Sequence, residues 1–152
     1  GGGYRNQSSL DTLKEKVVDK NGNIRNDEQA YMKGSDVFQL FLSKVPKDIK
    51  EITEYANISS NEIDYFVFHQ ANNFMNSYLI KKLKIDDLKV PTTISKFGNT
   101  SSVSIPLTIV SELKDSLILP KNLLLSGFGV GMTYTSAILK TSNCKISEIV
   151  EI

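Results

Sequence analysis

Ile63-Asp64-Tyr65-Phe66-Val67-Phe68-His69-Gln70-Ala71-Asn72 is the stretch on which the fold turns. Its first six residues are almost continuously apolar, the pattern of a strand covered on both faces. Such strands belong to sheets with helices on either side. The run stops at His69, the only histidine of the sequence. A histidine that directly follows a buried strand sits at the strand's carboxyl end, where open α/β sheets bind ligands.

Downstream, residues 72–84 read as a helix. Met75, Tyr78, Leu79 and Leu83 share one side, and Lys81, Lys82 and Lys84 lie near the C-terminal end, where cations suit the helix dipole. Residues 86–93 form a connection containing Pro91. A second helix is predicted over 102–117 from Val103, Leu107, Val110 and Leu113, with Pro106 near its first turn, where proline costs least. Asn122-Leu123-Leu124-Leu125-Ser126 is a second buried strand. After a glycine-rich loop, Gly127-Phe128-Gly129-Val130-Gly131, residues 132–139 form a third, rich in Thr, Tyr and Ile.

Upstream, Val37, Phe38, Phe41, Leu42, Val45, Ile49 and Ile52 recur at helical spacing. Ser35 or Asp36 is the expected cap. Pro46 removes a backbone donor inside this pattern, which predicts a kink or break near residues 43–45. Residues 1–34 are the least regular part, with a turn at Lys20-Asn21-Gly22-Asn23. The expected division is a lead-in segment at 1–34, a domain at 35–140 and a tail at 141–152. The fold class is α/β, a mixed sheet flanked by helices, with the last two strands forming a hairpin.

Composition narrows the function. The 152 residues are 40% hydrophobic and 23% charged, as in a globular domain. Eighteen basic and 17 acidic residues are interspersed, a balance that argues against nucleic-acid binding. No stretch approaches the roughly 18 apolar residues of a membrane span, and the N-terminus has no signal-peptide pattern. The single cysteine, Cys144, excludes an internal disulfide and fits a cytoplasmic location. With one histidine and one cysteine far apart, no metal site is expected.

Three loops carry candidate chemistry. His69 can donate a hydrogen bond from one ring nitrogen to a developing oxyanion while the other accepts one. Asn99, within Gly98-Asn99-Thr100-Ser101, offers two neutral donors in a fixed plane. Taken alone, that segment also reads as a turn and a helix cap. Gly129-Val130-Gly131 reads either as a plain hairpin turn or as a bend whose backbone N–H groups serve an oxyanion hole. Phe128 reads as a core aromatic or as a ring over a nucleophile. Cys144 lies in a polar tail without a helix N-terminus to lower its pKa, so it is not read as a nucleophile.

Five segments in order resemble the C-terminal half of β-ketoacyl-acyl carrier protein synthase III, a condensing enzyme of the thiolase superfamily. They are Met32-Lys33-Gly34-Ser35-Asp36-Val37-Phe38, His69-Gln70-Ala71-Asn72, Gly98-Asn99-Thr100-Ser101, Ser104-Ile105-Pro106 and Gly127-Phe128-Gly129-Val130-Gly131. The similarity runs from about Gly1 through Lys140, and the opening Gly-Gly-Gly-Tyr-Arg resembles a loop of the family.

The resemblance implies a thiolase-like half whose partner, an N-terminal half, carries the nucleophilic cysteine. It implies a decarboxylative Claisen condensation of a malonyl thioester with an acyl-enzyme. His69 and Asn99 would donate to the malonyl carbonyl, and the Val130 backbone N–H would hold the acyl-enzyme oxyanion. Gly34, Ser35, Phe38, Ala71, Asn72 and Phe128 would line the pantetheine tunnel. No bound cofactor is implied; coenzyme A or acyl carrier protein thioesters would be substrates, and acyl carrier protein and a second copy of the chain the partners. Phe74, Ser35 and Val130 depart from the residues common at their positions, whereas the His69/Asn99 pair does not. The alternative reading is a non-catalytic thiolase-fold module that binds acyl carriers or a partner subunit.

Overall fold

Residues 7–14, 17–18, 20–29, 34–129 and 133–150 are described by the computed structural model. The chain begins with α1 (Leu10–Leu13), capped by Ser9, whose side chain accepts from the Thr12 N–H. A short antiparallel ladder follows, β1 (Val17–Val18) with β2 (Ile24–Arg25). Its turn contains Gly22 at φ 79°, a left-handed geometry that suits glycine. The lead-in segment, expected to be irregular, therefore holds a short helix and a two-stranded ladder.

α2 spans Gly34–Tyr55 without interruption. Of the kink or break expected near residues 43–45 from Pro46, the break does not occur. Phe41, Val45, Pro46 and Ile49 form the buried face, so packing of that face holds the helix together across the missing donor. Ser35 and Asp36 lie inside the first turn rather than at the cap, since the helix already begins at Gly34.

β3 (Tyr65–Phe68) then runs parallel to β4 (Lys121–Gly129), and β4 pairs antiparallel with β5 (Thr133–Thr141). The sheet order is β3-β4-β5, the mixed sheet and terminal hairpin that were expected. Asp64 pins the start of the parallel pair, its carboxylate accepting from the Asn122 N–H at 2.7 Å and from Lys121 Nζ at 3.1 Å. Both strands of the hairpin are longer than the apolar signal suggested. Gly127, Phe128 and Gly129 are not loop residues but the end of β4, paired with Thr135, Tyr134 and Thr133.

α3 (Asn73–Leu83) matches its prediction within a residue. Asn72 caps it by accepting from the Met75 N–H at 2.9 Å, and Lys84 ends it at φ 55°. The helix expected over 102–117 is shorter. It comprises a 3-10 turn at Ser101–Val103, then α5 (Ser104–Glu112), with a further 3-10 turn at Ser116–Ile118; the four-residue α4 (Ile94–Phe97) comes before it.

The pleat sorts side chains onto the two faces of the sheet. Phe66, Phe68 and Leu124 join Phe41, Val45, Ile49, Met75 and Leu79 in a core beneath α2 and α3. Val67 and Leu123 point the other way, to Leu113 and Leu117, with Ile105 and Ile109 of α5 packed against them. The tail docks on this second face. Cys144 and Ile146 pack there, and the Cys144 N–H donates to the Leu117 carbonyl at 3.1 Å. Helices thus cover both faces of a mixed sheet. None of the described helices is long and apolar enough to cross a membrane.

Candidate functional site

His69 lies one residue past the registered pair Phe68–Ser126, and its N–H still donates to the Ser126 carbonyl at 2.9 Å. It is therefore held by the sheet while its ring stands beyond the strand end. The ring is partly buried. Its Nδ1 lies 2.7 Å from Ser104 Oγ at the first residue of α5. Phe128 meets it edge-on, with centroids 5.2 Å apart and planes at 81°. Phe128 in turn packs on Phe41 at 4.8 Å, which ties the site to the core. Of the two sequence readings of Phe128, the core aromatic describes these contacts, and the same ring also touches the histidine.

Gly98 ends α4 at φ 67°, a left-handed geometry that a side chain would strain. Asn99 follows in an exposed turn, and its Oδ1 accepts from the Ser101 N–H at 2.9 Å. That contact fixes the amide's direction and leaves Nδ2 as a donor. Among the described residues no hydrogen bond joins His69 to Asn99. They are linked through the loop itself, since the Asn99 turn leads within five residues to Ser104.

Gly34, Ser35 and Phe38 are exposed at the start of α2. Phe38 packs on the exposed Phe74 of α3 at 5.8 Å. Ala71 lies half-buried against the core, and Asn72 is the α3 cap. Val130 lies outside the described residues. A depression of about 380 Å³ lined by Val110, Ser111, Lys114, Asp115, Glu148 and Ile149 contains none of the candidate residues.

Sequence reasoning missed the polar residues behind the histidine. Gln70 is fully buried. Its Nε2 donates to the Phe68 carbonyl at 2.8 Å, and its Oε1 accepts from Thr92 Oγ1 at 3.0 Å and the Thr93 N–H at 3.1 Å. The available signal was a glutamine and two threonines, polar residues beside apolar runs.

Burial pushes the His69 imidazole below the ordinary 6.5. The neutral ring is therefore preferred in the folded chain more than in the unfolded one. As pH falls through 6.5 the unfolded state takes up the proton first, and stability declines until pH passes the lower folded value. With one histidine in the chain, His69→Gln should remove this component. Urea midpoints between about pH 5 and 8 for both proteins test it. Superimposable profiles would show that the ring does not feel its burial.

A mixed sheet with helices on both faces is the architecture of the thiolase fold. Solved neighbours agree. The chain is similar to a 3-oxoacyl-(acyl-carrier protein) synthase from Burkholderia xenovorans, with a TM-score of 0.76 and 38% identity over 82% of this chain and 36% of that one. It is also similar to the β-ketoacyl-acyl carrier protein synthase III of Thermus thermophilus, with a TM-score of 0.70 and 28% identity over 88% of this chain and 42% of that one. Residues 53–141 match the family described as 3-oxoacyl-acyl-carrier-protein (ACP) synthase III C terminal, and the chain belongs to that family. β-Ketoacyl-acyl-carrier-protein synthase III of Campylobacter jejuni is 39% identical over 110 residues, 72% of this chain and 34% of the relative. The chain thus spans about a third of the length of the curated relatives it matches.

Proposed function

We propose that the chain is the C-terminal half of a ketoacyl synthase III-like acyltransferase that condenses a malonyl thioester with an acyl-enzyme. The observation that carries this is the donor arrangement at the strand end. His69 has its Nδ1 engaged by Ser104, and Asn99 has its Oδ1 engaged by the Ser101 N–H. Among the described residues no hydrogen bond engages His69 Nε2 or Asn99 Nδ2, two neutral nitrogens suited to one carbonyl oxygen.

In the proposed step the malonyl C–C bond breaks and carbon dioxide leaves. The electron pair forms an enolate whose oxygen the two donors hold. The enolate carbon then attacks the acyl thioester carbon, and the cysteine thiolate departs. Donors aimed at charge that grows only near the transition state raise the rate rather than merely tighten binding. The low pKa of His69 keeps it neutral here, so it acts by donating a hydrogen bond and not as a fixed cation.

The other roles follow the same reading. The Val130 N–H is assigned to the acyl-enzyme oxyanion, and Gly34, Ser35, Phe38, Ala71, Asn72 and Phe128 to the pantetheine path. The exposed Phe38–Phe74 pair gives that path an apolar side. Coenzyme A or acyl carrier protein thioesters are the proposed substrates, and the cysteine comes from a partner N-terminal half. We further assign residues 1–34 as the lead-in, 35–140 as the thiolase-like domain and 141–152 as its tail, in a cytoplasmic homodimer. A module that only bound carriers would keep the fold without needing these two oriented donors.

The chain by itself should form no ketoacyl product from acetyl-CoA and malonyl carrier protein. Its one cysteine, Cys144, is half-buried against the second core cluster and far from His69 along the chain. Product formation that persists in Cys144→Ala would overturn the two-half reading.

A further inference from the structure

We propose that Ser104 is a positioning residue that selects the tautomer of His69, donating its hydroxyl proton to Nδ1 so that the ring proton stays on Nε2. This rests on the reading of His69 as a donor to the substrate carbonyl. It adds the device that makes the donor nitrogen the outward one.

The argument is a proton count. Ser104 is 1% exposed. Its Oγ takes the Gln70 N–H at 3.3 Å and lies 2.7 Å from His69 Nδ1. A hydroxyl has one proton and two accepting lone pairs. With one lone pair used by Gln70, a protonated Nδ1 would take the second, and the buried hydroxyl proton would have no acceptor among the described residues. An unmade buried hydrogen bond biases the equilibrium by roughly tenfold or more. A bare Nδ1 that accepts from Ser104 satisfies every group.

The serine is itself held by a closed circuit. Thr108 Oγ1 donates to the Ser104 carbonyl at 2.8 Å. Having spent its proton, it must accept from Thr93, whose Oγ1 is 2.8 Å away. The Thr93 N–H donates to Gln70 Oε1 at 3.1 Å, and the Gln70 N–H returns to Ser104 Oγ. Gln70, Thr93, Ser104 and Thr108 are all at most 1% exposed. Three separate segments are locked together behind one imidazole, in the low-dielectric setting where such networks are strongest.

The test uses the 152-residue chain with its single histidine labelled with nitrogen-15. A proton–nitrogen correlation spectrum of the imidazole is recorded at about pH 8, where the ring is neutral. The wild type should show a protonated Nε2 and a bare Nδ1. Ser104→Ala should populate both tautomers, with the Nε2–H preference falling at least severalfold, and Ser104→Thr, which keeps a hydroxyl, should restore it. A proton on Nδ1 in the wild type overturns the proposal whatever the variants do. So does an undiminished Nε2–H preference in Ser104→Ala, or its loss in a Ser104→Thr chain whose backbone spectrum is unchanged. The measurement involves no turnover. Failure of the catalytic reading would instead appear as a His69→Ala enzyme that still decarboxylates.

Discussion

In the full-length enzyme, His69→Ala and Asn99→Ala should each slow carbon dioxide release from the malonyl thioester by roughly a hundredfold to a thousandfold, while acylation of the cysteine stays measurable. The asymmetry follows from the assigned target. Both side chains are read as meeting the malonyl carbonyl, which gains charge only in the second half-reaction. Each has its other polar atom tied down, His69 to Ser104 and Asn99 to Ser101, so neither needs to reorganise as charge develops. Because both serve one oxygen, the double variant should lose less than the product of the single effects. Radiolabelled acyl transfer and carbon dioxide release, measured on the same preparations, separate the steps. Acylation that falls as steeply as decarboxylation in both variants would remove these roles and make His69 the base that activates the cysteine.

Phe41→Ala should cost about 3–5 kcal/mol of folding stability, the loss expected for a large buried aromatic. Native domains hold roughly 5–15 kcal/mol in all, so this is a large share. Phe41 is 0% exposed, at the centre of the core beneath α2. Its ring contacts Tyr78 at 5.9 Å and Phe128 at 4.8 Å. The cavity would therefore open beneath Phe128, the ring that meets His69 edge-on, and the histidine resonances should broaden or shift. Phe74→Ala is the control. That ring is 65% exposed, and its loss should stay within about 0.5 kcal/mol. Urea midpoints with an unchanged slope measure both. Equal losses in the two variants would show that α2 does not pack as described.

The elements that were legible were those whose side chains encode their own surroundings. The run at 63–68 is apolar at nearly every position because both faces of β3 are covered, by α2 and α3 on one side and α5 on the other. Asn72 before an apolar period, and lysines at its end, marked α3 almost to the residue. The errors fall where local signal and tertiary pairing disagree. Gly127 and Gly129 look like a loop because glycine is poor in strands, yet nine registered pairs with β5 carry the strand through them. Pro46 reads as a break because it lacks an N–H, yet its burial in the α2 face keeps the helix whole. The four residues of α4 are too few to show a period.

The candidate site divides the same way. Residue types and order marked His69, Asn99 and the glycine segment as candidates, and it was the resemblance of five ordered segments to a known family that joined them into one proposed site. The orientation of those groups was not legible in the sequence. Which nitrogen of His69 faces outward depends on Ser104, 35 residues away, and Ser104 depends on Gln70, Thr93 and Thr108. Serine, threonine and glutamine look alike in a sequence whether they face water or each other. Only folding brings three such segments together out of water, and there each proton has to find an acceptor.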